Sequence, residues 1–350
     1  MHPETDTAPL RPGEEVGTGA LSDYLRGRVE GADEGVSLEQ FPGGHSNLTY
    51  LVRAGNREYV LRRAPLGPVP RKAHDMAREY RLLAQVHPLF PAAPNVYLLC
   101  EDAAVIGSAF FLMERRRGLI LRDRIPAALE CEPDLGARVS RAFLDCLVEL
   151  HAIDIERHGL TALGKPHGFI ERQVRGWSER WRRAKTEDLP EMDEVMRWLE
   201  SAIPESRSAT LVHNDYKLDN VMLNSSDPGR IEAVLDWEMA TVGDPLADLG
   251  LTLCYWRLGS ASAGERASLS SGAGWYTRDE FVSSYGKKTG RDVSRIQYYE
   301  VLGVFKLAVI LQQIYFRYAR GQTHDKRFQG FDRRVRELVA AAAELARNGG

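Results

Sequence analysis

The spacing of hydrophobic positions predicts β structure in the first part of the chain. Apolar residues dominate the runs 51–53 and 58–62, and Gly55 and Asn56 stand between them. Glycine and asparagine tolerate the backbone angles of tight turns, so this pattern is typical of a β-hairpin. A further apolar run at 109–113 predicts another strand.

The remainder of the sequence favours helices. Helices are predicted over 73–86 and 169–185, and apolar residues recur at helical spacing through 134–153. One or two long helices are predicted over 291–320, including the apolar stretch 301–311. We therefore expect an α+β protein with a small N-terminal β-sheet lobe and a larger, mainly helical C-terminal lobe.

Polar and glycine-rich segments suggest the domain organisation. Residues 1–20 contain no sustained apolar run, and we expect a disordered tail there. The polar segment 114–118 predicts a hinge, which places an N-terminal lobe at 21–113 and the helical lobe at 114–350. Residues 259–274 are rich in glycine, serine and alanine, which predicts a flexible loop or linker that could gate a substrate cleft.

Composition limits the possible partners. With 350 residues, 43% of them hydrophobic, the chain can bury a large core and form one or two domains. Its formal net charge of −3 provides no overall basic field for nucleic acid. We expect no nucleic-acid partner, and the sequence does not specify an oligomeric state.

Cysteine spacing and hydropathy bear on the cellular compartment. Cys100, Cys131, Cys146 and Cys254 lack CxxC spacing, so neither a disulfide framework nor a zinc site is predicted. The acidic N-terminus argues against a secretory signal. The stretch 301–311 is shorter than the roughly 20 apolar residues that a membrane-spanning helix needs. We expect a cytoplasmic protein without a membrane partner.

The segment 211–224 carries the strongest chemical signal. Asp215 follows His213, and Asn220 stands four intervening residues further on, which is the HxDxxxxN spacing of kinase catalytic loops. Phosphoryl transfer needs one carboxylate directed at the acceptor hydroxyl and separate oxygen ligands for magnesium. We predict that Asp215 is the catalytic base, that Asn220 binds magnesium and that His213 is structural.

Two more residues extend this signal. The apolar run 231–235 predicts a strand that ends at Asp236, a second carboxylate suited to bridging magnesium and nucleotide phosphates. Lys217 is a candidate to neutralise the transferring phosphoryl group, with a solvated surface lysine as the alternative. A lone Asp–Asn pair is more often an Asx-turn or a helix cap, so the joint occurrence of these residues favours catalysis.

The turn before the predicted hairpin is the candidate phosphate clamp. Gly43 and Gly44 would let the backbone approach a nucleotide closely. The hydroxyl of Ser46, or the amides around Asn47, would then bond a phosphate. Taken alone, this segment is more often an ordinary hairpin turn, and its place ahead of the catalytic loop favours the functional interpretation.

The second strand of the hairpin carries the candidate phosphate-binding cation. Arg62 stands where kinases have a lysine, and a guanidinium can bind phosphate with two hydrogen bonds. Arg63 is the rival, because strand neighbours point to opposite faces. Glu79 is the predicted ion-pair partner, with a surface carboxylate as the alternative. We expect adenine to bond backbone groups near Met113 and Arg115.

The segments 211–220 and 234–250 resemble the aminoglycoside phosphotransferase-like kinases, of the aminoglycoside phosphotransferase and choline kinase type. They look most like the kinase-like domain of acyl-CoA dehydrogenase family members 10 and 11. The resemblance covers about residues 35–330. It implies the two-lobed protein-kinase-like fold with Mg²⁺ and ATP in the cleft between the lobes.

The resemblance also implies roles for single residues. The position of Asp215 corresponds to the family's catalytic base, and those of Asn220 and Asp236 to its magnesium ligands. These roles agree with the ones assigned from the chemistry above. Asp248 matches a family aspartate that braces the catalytic loop from beneath.

The acceptor is indicated by one basic segment. The helix predicted over 169–185 interleaves Trp177 and Trp181 with basic residues, namely Arg172, Arg175, Arg180, Arg182, Arg183 and Lys185. Such a surface suits an anionic acceptor better than a cationic aminoglycoside, although a solvated helix face is the alternative. The family branch implies a hydroxyacyl-CoA or hydroxy acid.

Other functions remain open on the sequence alone. One alternative is an aminoglycoside kinase, or another small-molecule kinase of the choline or sugar type. A second is a nucleotide-binding pseudokinase, although neither the base nor a metal ligand is missing. A protein kinase is disfavoured because the segment after Asp236 lacks the Ala-Pro-Glu motif.

Overall fold

The structure, a computed structural model, describes most of the chain, namely residues 6–42, 47–64, 75–122, 124–206, 208–258, 269–323 and 325–348. The chain forms two compact units. The first comprises residues 1–118 and 232–238, and the second comprises 119–231 and 239–350. The first division falls five residues beyond the predicted hinge position at 113/114, and the return of 232–238 to the first unit was not anticipated.

The first unit is built on a five-stranded sheet. Its helices and strands are α1 (Thr18–Leu25), β1 (Val36–Gln40), β2 (Leu48–Ala54), β3 (Arg57–Arg63), α2 (Met76–Val86), β4 (Val96–Cys100), α3 (Ala103–Ile106) and β5 (Phe110–Glu114). The strand order is β1-β2-β3-β5-β4, and all neighbouring strands are antiparallel. The predicted hairpin is β2 and β3, with Gly55 at a φ of 55° in its turn.

Residues 6–20, which we placed in a disordered tail, have defined structure instead. The backbone of Ala8 exchanges two hydrogen bonds with Gln40, each 2.8 Å long, and α1 begins at Thr18. Leu21 and Leu25 of α1 join the apolar core of the sheet. Short polar segments at a terminus can thus be ordered when their backbone pairs with an edge strand.

Alternation along the strands explains where this core lies. In β2 and β3 the side chains of Tyr50, Val52, Tyr59 and Leu61 all lie in the same apolar cluster. Residues two apart on a strand share a face of the sheet. Arg62, which directly follows Leu61, therefore belongs to the other face. Helix α2 packs against β4 and β5.

The second unit is mainly helical. In chain order the elements are β6 (Leu119–Ile120), α4 (Leu135–His151), α5 (Phe169–Ala184), α6 (Pro190–Ser201), β7 (Thr210–Val212), β8 (Val221–Leu223), β9 (Ile231–Val234), β10 (Thr241–Gly243), α7 (Pro245–Leu258), α8 (Arg278–Thr289), α9 (Ile296–Ala319) and α10 (Phe331–Arg347). Of strand β9, only Ile231 belongs to the second unit, because residues 232–238 are part of the first. Antiparallel pairs join β7 with β10 and β6 with β8.

Helix α9 occupies the centre of the second unit and packs against α5, α6, α7 and α10. Two glycines allow its close approach to α7. A Cβ atom at Gly250 would lie 2.3 Å from the carbonyl oxygen of Tyr299, and one at Gly303 would lie 2.9 Å from the carbonyl oxygen of Gly250. The two helices therefore meet backbone to backbone.

The apolar character of α9 matches this central position. Among the described residues it is the helix that is long and apolar enough, by length and composition, to span a membrane. Of its most apolar 18-residue window, 72% is buried inside the protein. Core helices of folded domains have the same composition, and this one packs against other helices of its unit.

The other helix predictions agree with the structure except at their ends. The helix expected over 73–86 begins at Met76, where the side chain of Asp75 caps it by accepting from the backbone N–H of Arg78. Residues 73 and 74 lie outside the described residues, as does most of the segment 259–274. Cys100, Cys146 and Cys254 are buried free thiols, while Cys131 is exposed.

Candidate functional site

The loop between β7 and β8 is held by a buried carboxylate on α7. Asp248 accepts the backbone N–H of His213 at 2.6 Å and that of Asn214 at 2.8 Å. His151 lies 3.2 Å from the same carboxylate, and its other ring nitrogen lies 2.8 Å from the hydroxyl of Tyr285. Burial acts to raise the pKa of Asp248. The hydrogen bonds outweigh burial and hold this pKa below its ordinary value. Asp248 thus braces the loop, as the resemblance implied, and the buried ring of His151 contacts the same carboxylate.

Asn214 sets the direction of the chain just before the candidate base. Its φ of 63° lies in the left-handed region, where asparagine is among the residues that fit best. Its side-chain amide donates to the carbonyl of Met239 at 3.1 Å, and its own carbonyl accepts from Lys306 at 3.0 Å. The ring of His213, which is fully buried, accepts the N–H of Asp215 at 3.3 Å.

The carboxylate of Asp215 is oriented by three side-chain donors. Lys217 and the amide nitrogen of Asn220 each lie 2.8 Å from Oδ2, and the hydroxyl of Tyr255 donates to Oδ1 at 2.8 Å. Burial raises the pKa of Tyr255 well above its ordinary value, so this group remains a hydroxyl donor at neutral pH. The structure thus brings together Asp215, Lys217 and Asn220, as the sequence predicted.

Lys217 is more constrained than a solvated surface lysine. Besides contacting Asp215, its ammonium lies 5.1 Å from the ring centroid of Tyr255. Its side chain is 21% exposed. A lysine held against both an aromatic ring and a carboxylate is a fixed positive charge next to the candidate base.

A second cluster, in the first unit, surrounds Arg62. The guanidinium Nε lies 3.2 Å from Glu79, and Nη2 contacts Asp236 and lies 3.7 Å from Glu238. Against the effect of burial, these carboxylates raise the pKa of Arg62. Burial raises the pKa of Glu79 to about 7. The predicted pair of Arg62 and Glu79 is present, and Asp236 joins it.

Asp236 has an unusual backbone conformation. Its φ is 66°, which is uncommon for a residue other than glycine and is often associated with functional positions. Next to it, Trp237 is buried against Phe90, with the ring centroids 5.9 Å apart, and donates from Nε1 to the carbonyl of Val234 at 2.8 Å. These contacts fix Asp236 within the first unit.

Asn47 and Glu238 form a link that the sequence did not reveal. The side-chain amide of Asn47 donates to the carboxylate of Glu238 at 2.8 Å. The carbonyl of Glu238 accepts from Arg78 on α2 at 2.9 Å. The segment of Asn47, predicted as the phosphate clamp, is therefore joined to the cluster around Arg62. Gly43, Gly44 and Ser46, the other predicted members, lie outside the described residues.

The choice between Arg62 and Arg63 is decided by the alternation of the strand. Arg63 is fully buried, donates to the carbonyl of Ile106 at 3.0 Å and lies 5.7 Å from the ring centroid of Tyr50. It therefore belongs to the sheet face that carries the apolar core. Arg62, on the other face, contacts the acidic residues, as expected.

Met113 and Arg115, near which adenine was predicted to bond the backbone, differ in their surroundings. Met113 is buried in β5, where it pairs with Val60 of β3. The guanidinium of Arg115 donates to both carboxylate oxygens of Asp6, at 2.7 and 2.8 Å, and stacks on Phe41 at 4.8 Å. The side chain of Arg115 is thus engaged within the first unit, which leaves its backbone as the candidate adenine contact.

The basic residues of α5 do not form one surface. Arg172 donates to the carbonyls of Lys165 and His167, and Arg175 is exposed. Arg182, Arg183 and Lys185 lie near carboxylates of Glu200, Glu179 and Asp188. Arg180 differs, because it stacks on Trp177 at 4.3 Å and burial lowers its pKa. Most of the predicted basic surface is therefore an exposed helix face.

The donor chemistry fits magnesium in a nucleotide complex. Among the described residues, no three His, Cys, Asp or Glu side chains are grouped to hold a metal by themselves. Magnesium bound with phosphates commonly uses only one or two protein oxygens. This observation therefore agrees with a magnesium ion held jointly by the protein and the phosphates. The amide nitrogen of Asn220 bonds Asp215, which leaves Oδ1 of Asn220 as its ligating atom.

Tyr255 and Lys306 are the functional candidates that sequence reasoning missed. Tyr255 follows no motif, and only the packing of α7 brings it to Asp215. Lys306 did carry a signal, since a lysine in the middle of an apolar helix is rarely buried without a role. It lies on α9, far in sequence from the loop that it contacts.

The fold and the His-x-Asp loop define a phosphotransferase of the protein-kinase-like class, with a small sheet-based unit and a larger helical one. The family model of the phosphotransferase enzyme family (APH) matches residues 37–281. The chain belongs to this family, which confirms the resemblance seen in its motifs.

Two curated relatives extend along nearly the whole chain. Acyl-CoA dehydrogenase family member 10 from Mus musculus is 32% identical over 346 residues, covering 97% of this chain and 32% of that protein. Member 11 from Gallus gallus is 30% identical over 361 residues, covering 99% of this chain and 46% of that protein. The chain thus spans less than half the length of either relative.

Solved structures confirm the fold. A Ralstonia eutropha protein classed with the aminoglycoside phosphotransferases has a TM-score of 0.81 at 29% identity, covering 95% of this chain and 99% of that one. Aminoglycoside 2′-phosphotransferase-IIIa, solved with GDP, has a TM-score of 0.60 at 15% identity, covering 94% and 99%. The predicted two-lobed kinase-like fold is therefore confirmed.

Proposed function

We propose that the protein transfers the γ-phosphate of ATP to a hydroxyl of a small molecule, using Mg²⁺. The observation that carries this proposal is the arrangement of three donors, Lys217, Asn220 and Tyr255, around the carboxylate of Asp215. A carboxylate oriented in this way on a short loop is suited to receive a hydroxyl proton. Membership of a phosphotransferase family and the GDP bound by a related fold support the use of a nucleotide.

The residues of the second unit would act on the acceptor. Asp215 would orient the attacking hydroxyl and accept its proton as the bond to the γ-phosphorus forms, while the bond from that phosphorus to the β-phosphate oxygen breaks and ADP leaves. Lys217, fixed between Asp215 and Tyr255, places a positive charge where negative charge grows on the transferring group. Asp248 contributes by holding the loop that carries both residues.

The residues of the first unit would bind the nucleotide. Arg62 is kept cationic by Glu79 and Asp236 and can form two hydrogen bonds to phosphate oxygens. Asp236 would supply an oxygen ligand to Mg²⁺, and Asn220 of the catalytic loop is the other predicted ligand. When bound, Mg²⁺ and ATP supply the phosphoryl group and neutralise part of its charge.

The best candidate acceptor is a hydroxyacyl-CoA or a hydroxy acid. Support comes from the relatives, whose names refer to acyl-CoA and which match this chain over almost its full length. This chain matches less than half the length of those proteins, so their names do not assign a substrate to it. The alternative is an aminoglycoside or another small alcohol, which the class of the Ralstonia eutropha protein favours.

A panel assay tests the proposal. Purified protein would be incubated with Mg²⁺, ATP and one acceptor at a time, chosen from hydroxyacyl-CoAs, hydroxy acids, aminoglycosides, choline and sugars. Phosphorylated product would be measured by mass spectrometry, with the Asp215→Asn variant as the blank. Phosphorylation of a hydroxyacyl-CoA or hydroxy acid supports the proposal. Product from aminoglycosides alone would mean that the acceptor is an aminoglycoside and not an acyl compound. ATP binding without any product would favour a pseudokinase.

A further inference from the structure

A small recess in the second unit lies next to the catalytic loop. It is formed where α5, α7 and α9 meet, and it is lined by Gln173, Trp177, Asn214, Ala247, Leu251, Leu302, Gly303 and Lys306. Its volume of about 10 Å³ accommodates roughly one water-sized group. The recess can therefore receive a single oxygen atom but not a chain of carbons.

The polar wall of this recess is made of donors. Lys306 is 7% exposed, and its ammonium donates to the carbonyl of Asn214 at 3.0 Å, which leaves further N–H donors on the same nitrogen. The side-chain oxygen of Gln173 accepts the indole N–H of Trp177 at 3.0 Å, so its amide nitrogen remains as a donor. An oxygen placed here would meet donors from two helices.

Positive charge is concentrated around the same place. The ammonium of Lys306 and the guanidinium of Arg180 lie 5.6 and 4.3 Å from the ring centroid of Trp177. Burial lowers the pKa of Lys306 to about 8, despite the attraction of Asp215 and Asp248. A buried ammonium with a neutral carbonyl as its hydrogen-bond partner would gain from a negatively charged or strongly polarised oxygen.

The remaining walls of the recess are apolar or aromatic. Leu251, Leu302 and Ala247 are apolar, and Trp177 presents the face of its ring. Asn214, which borders the recess, immediately precedes Asp215 in the chain. The recess therefore lies beside the loop that carries Asp215, so an acceptor whose hydroxyl is at Asp215 could place a nearby oxygen in it.

We propose that this recess binds the acyl oxygen of the acceptor, with Lys306 and Gln173 as donors. The proposal rests on the proposed function and deepens it by naming the place and the residues that bind the acceptor's acyl oxygen. The acceptors are molecules with a hydroxyl and an acyl C=O oxygen on one short chain. The oxygen belongs either to a free carboxylate or to a thioester, and both present the same acceptor to Lys306. Cationic acceptors such as choline lack this oxygen and would be repelled.

The test compares acceptors that differ only in this oxygen. Wild-type protein would be assayed with a short-chain hydroxy acid, with its CoA thioester, and with the diol in which the acyl group is replaced by an alcohol. We expect kcat/KM for one acyl compound to exceed that for the diol by about tenfold or more, as for a hydrogen bond to a charged donor. The better of the two acyl compounds identifies the source of the oxygen.

Two variants then locate the effect. Lys306→Met and Gln173→Leu should each reduce the ratio of acyl acceptor to diol by about tenfold and leave the KM for ATP unchanged. If a variant only weakened the support of the catalytic loop, turnover of the acyl acceptor and of the diol would fall equally. A change in their ratio therefore indicates lost binding of the acyl oxygen. Gln173→Leu does not touch the loop and decides the matter if Lys306→Met fails to fold. Arg175→Gln, an exposed change on the same helix, is the matched control.

The possible failures are distinct. If the wild type phosphorylates hydroxy acids and both variants keep the wild-type ratio, the recess does not bind the acyl oxygen, while the proposed function stands. If the wild type phosphorylates the diol as well as the acyl compounds, the recess again has no such role. If the wild type phosphorylates no hydroxyl compound of either kind, the proposed function and this inference fall together.

Discussion

The orientation of Asp215 depends on residues that are distant in sequence as well as on its own loop. Lys217 and Asn220 come from the loop, whereas Tyr255 comes from α7. A carboxylate with donors on both oxygens keeps a fixed direction, which is the property that proton transfer requires. The contribution of each residue can be measured separately.

Replacement of the candidate base gives the first prediction. Asp215→Asn keeps the volume of the side chain but removes its capacity to accept a proton. Turnover should fall by roughly 100-fold or more, while ATP affinity stays near the wild-type value. Single-turnover assays and calorimetric titration with ATP measure the two quantities. Near-wild-type turnover on the true acceptor would remove Asp215 from the mechanism.

Asp236 should affect nucleotide binding through magnesium. Asp236→Ala removes a carboxylate that contacts Arg62, so ATP affinity in the presence of Mg²⁺ should decrease. Without Mg²⁺ the difference in ATP affinity between wild type and variant should shrink. The Arg62 of the variant can still bind a phosphate in place of Asp236. Calorimetry with and without Mg²⁺ distinguishes these effects. An equal gain in affinity from Mg²⁺ in both proteins would mean that Asp236 is not a metal ligand.

The buried ammonium of Lys306 predicts a pH dependence of stability. Its folded-state pKa is about 8, whereas lysine in an unfolded chain titrates near pH 10.4. Between these values the unfolded state binds more protons, so this contribution to the free energy of unfolding rises with pH. Asp215, Asp248, Arg180 and Lys217 all influence this group, and they are retained in Lys306→Met.

The measurement is urea unfolding of wild type and Lys306→Met at several pH values from about 7 to about 10. The difference in free energy of unfolding, wild type minus variant, should increase over this range. Other groups titrate there as well, but they are common to both proteins and cancel in the difference. A difference that stays constant with pH would show that Lys306 is not perturbed by burial.

At the level of elements, the pair α7 and α9 connects the core to the catalytic loop. Helix α7 supplies Asp248 and Tyr255, and α9 supplies Lys306. The two helices approach closely because Gly250 and Gly303 have no side chains at the crossing. The distance between α7 and α9 therefore controls how Asp248, Tyr255 and Lys306 contact the segment that contains Asp215.

Widening this helix pair should damage both stability and activity. In Gly250→Ala the new Cβ would lie 2.3 Å from the carbonyl oxygen of Tyr299, which is backbone and cannot rotate away. We expect a loss of about 1–3 kcal/mol of stability and reduced turnover. The matched control is Gly176→Ala on α5, where the nearest atom is the end of the Arg180 side chain at 3.8 Å.

Gly176→Ala should raise stability by roughly 0.5–1 kcal/mol, because alanine favours helix more than glycine does. Thermal denaturation of both variants provides the comparison. If Gly250→Ala were as stable as Gly176→Ala, the helices would not be held at backbone contact. The assigned cause of the close α7–α9 approach would then be wrong.

For the whole molecule, the important feature is that the first unit is discontinuous. Residues 232–238 follow the catalytic loop in sequence but contribute Asp236 and Trp237 to the unit formed by residues 1–118. The backbone of Val234 also bonds the carbonyl of Ala92 at 2.8 Å. The stability of the first unit therefore depends on a segment that the chain supplies later.

A fragment containing residues 1–118 alone should not fold cooperatively. It lacks Trp237, which packs on Phe90, and it leaves Glu79 and Arg62 without Asp236. A buried site with a missing partner costs several kcal/mol, which is a large part of the stability of a small domain. Circular dichroism during heating measures this, and full-length protein is the control. A sharp transition for the fragment would contradict the dependence on 232–238.

The sequence by itself determined the features that depend on local order. The HxDxxxxN spacing of His213, Asp215 and Asn220 identified the loop, because these residues must be near one another in any fold. Strand alternation meant that only one of Arg62 and Arg63 could face the site, and the match of Arg62 to the position of the kinase lysine selected it. Hydrophobic spacing likewise gave the β2–β3 hairpin and the helix beneath the loop.

Tertiary structure decided which distant residues complete the site. Tyr255 and Lys306 reach the loop only because α7 and α9 pack against it, and packing at long sequence separation leaves no periodic signal. Tertiary structure also distinguished the basic residues of helix α5. By sequence alone, Arg172, Arg175 and Arg180 were alike, as parts of one surface for an anionic acceptor. Arg180 differs from its neighbours by its stacking on Trp177, and such a contact depends on how the helix packs, which residue spacing alone does not show.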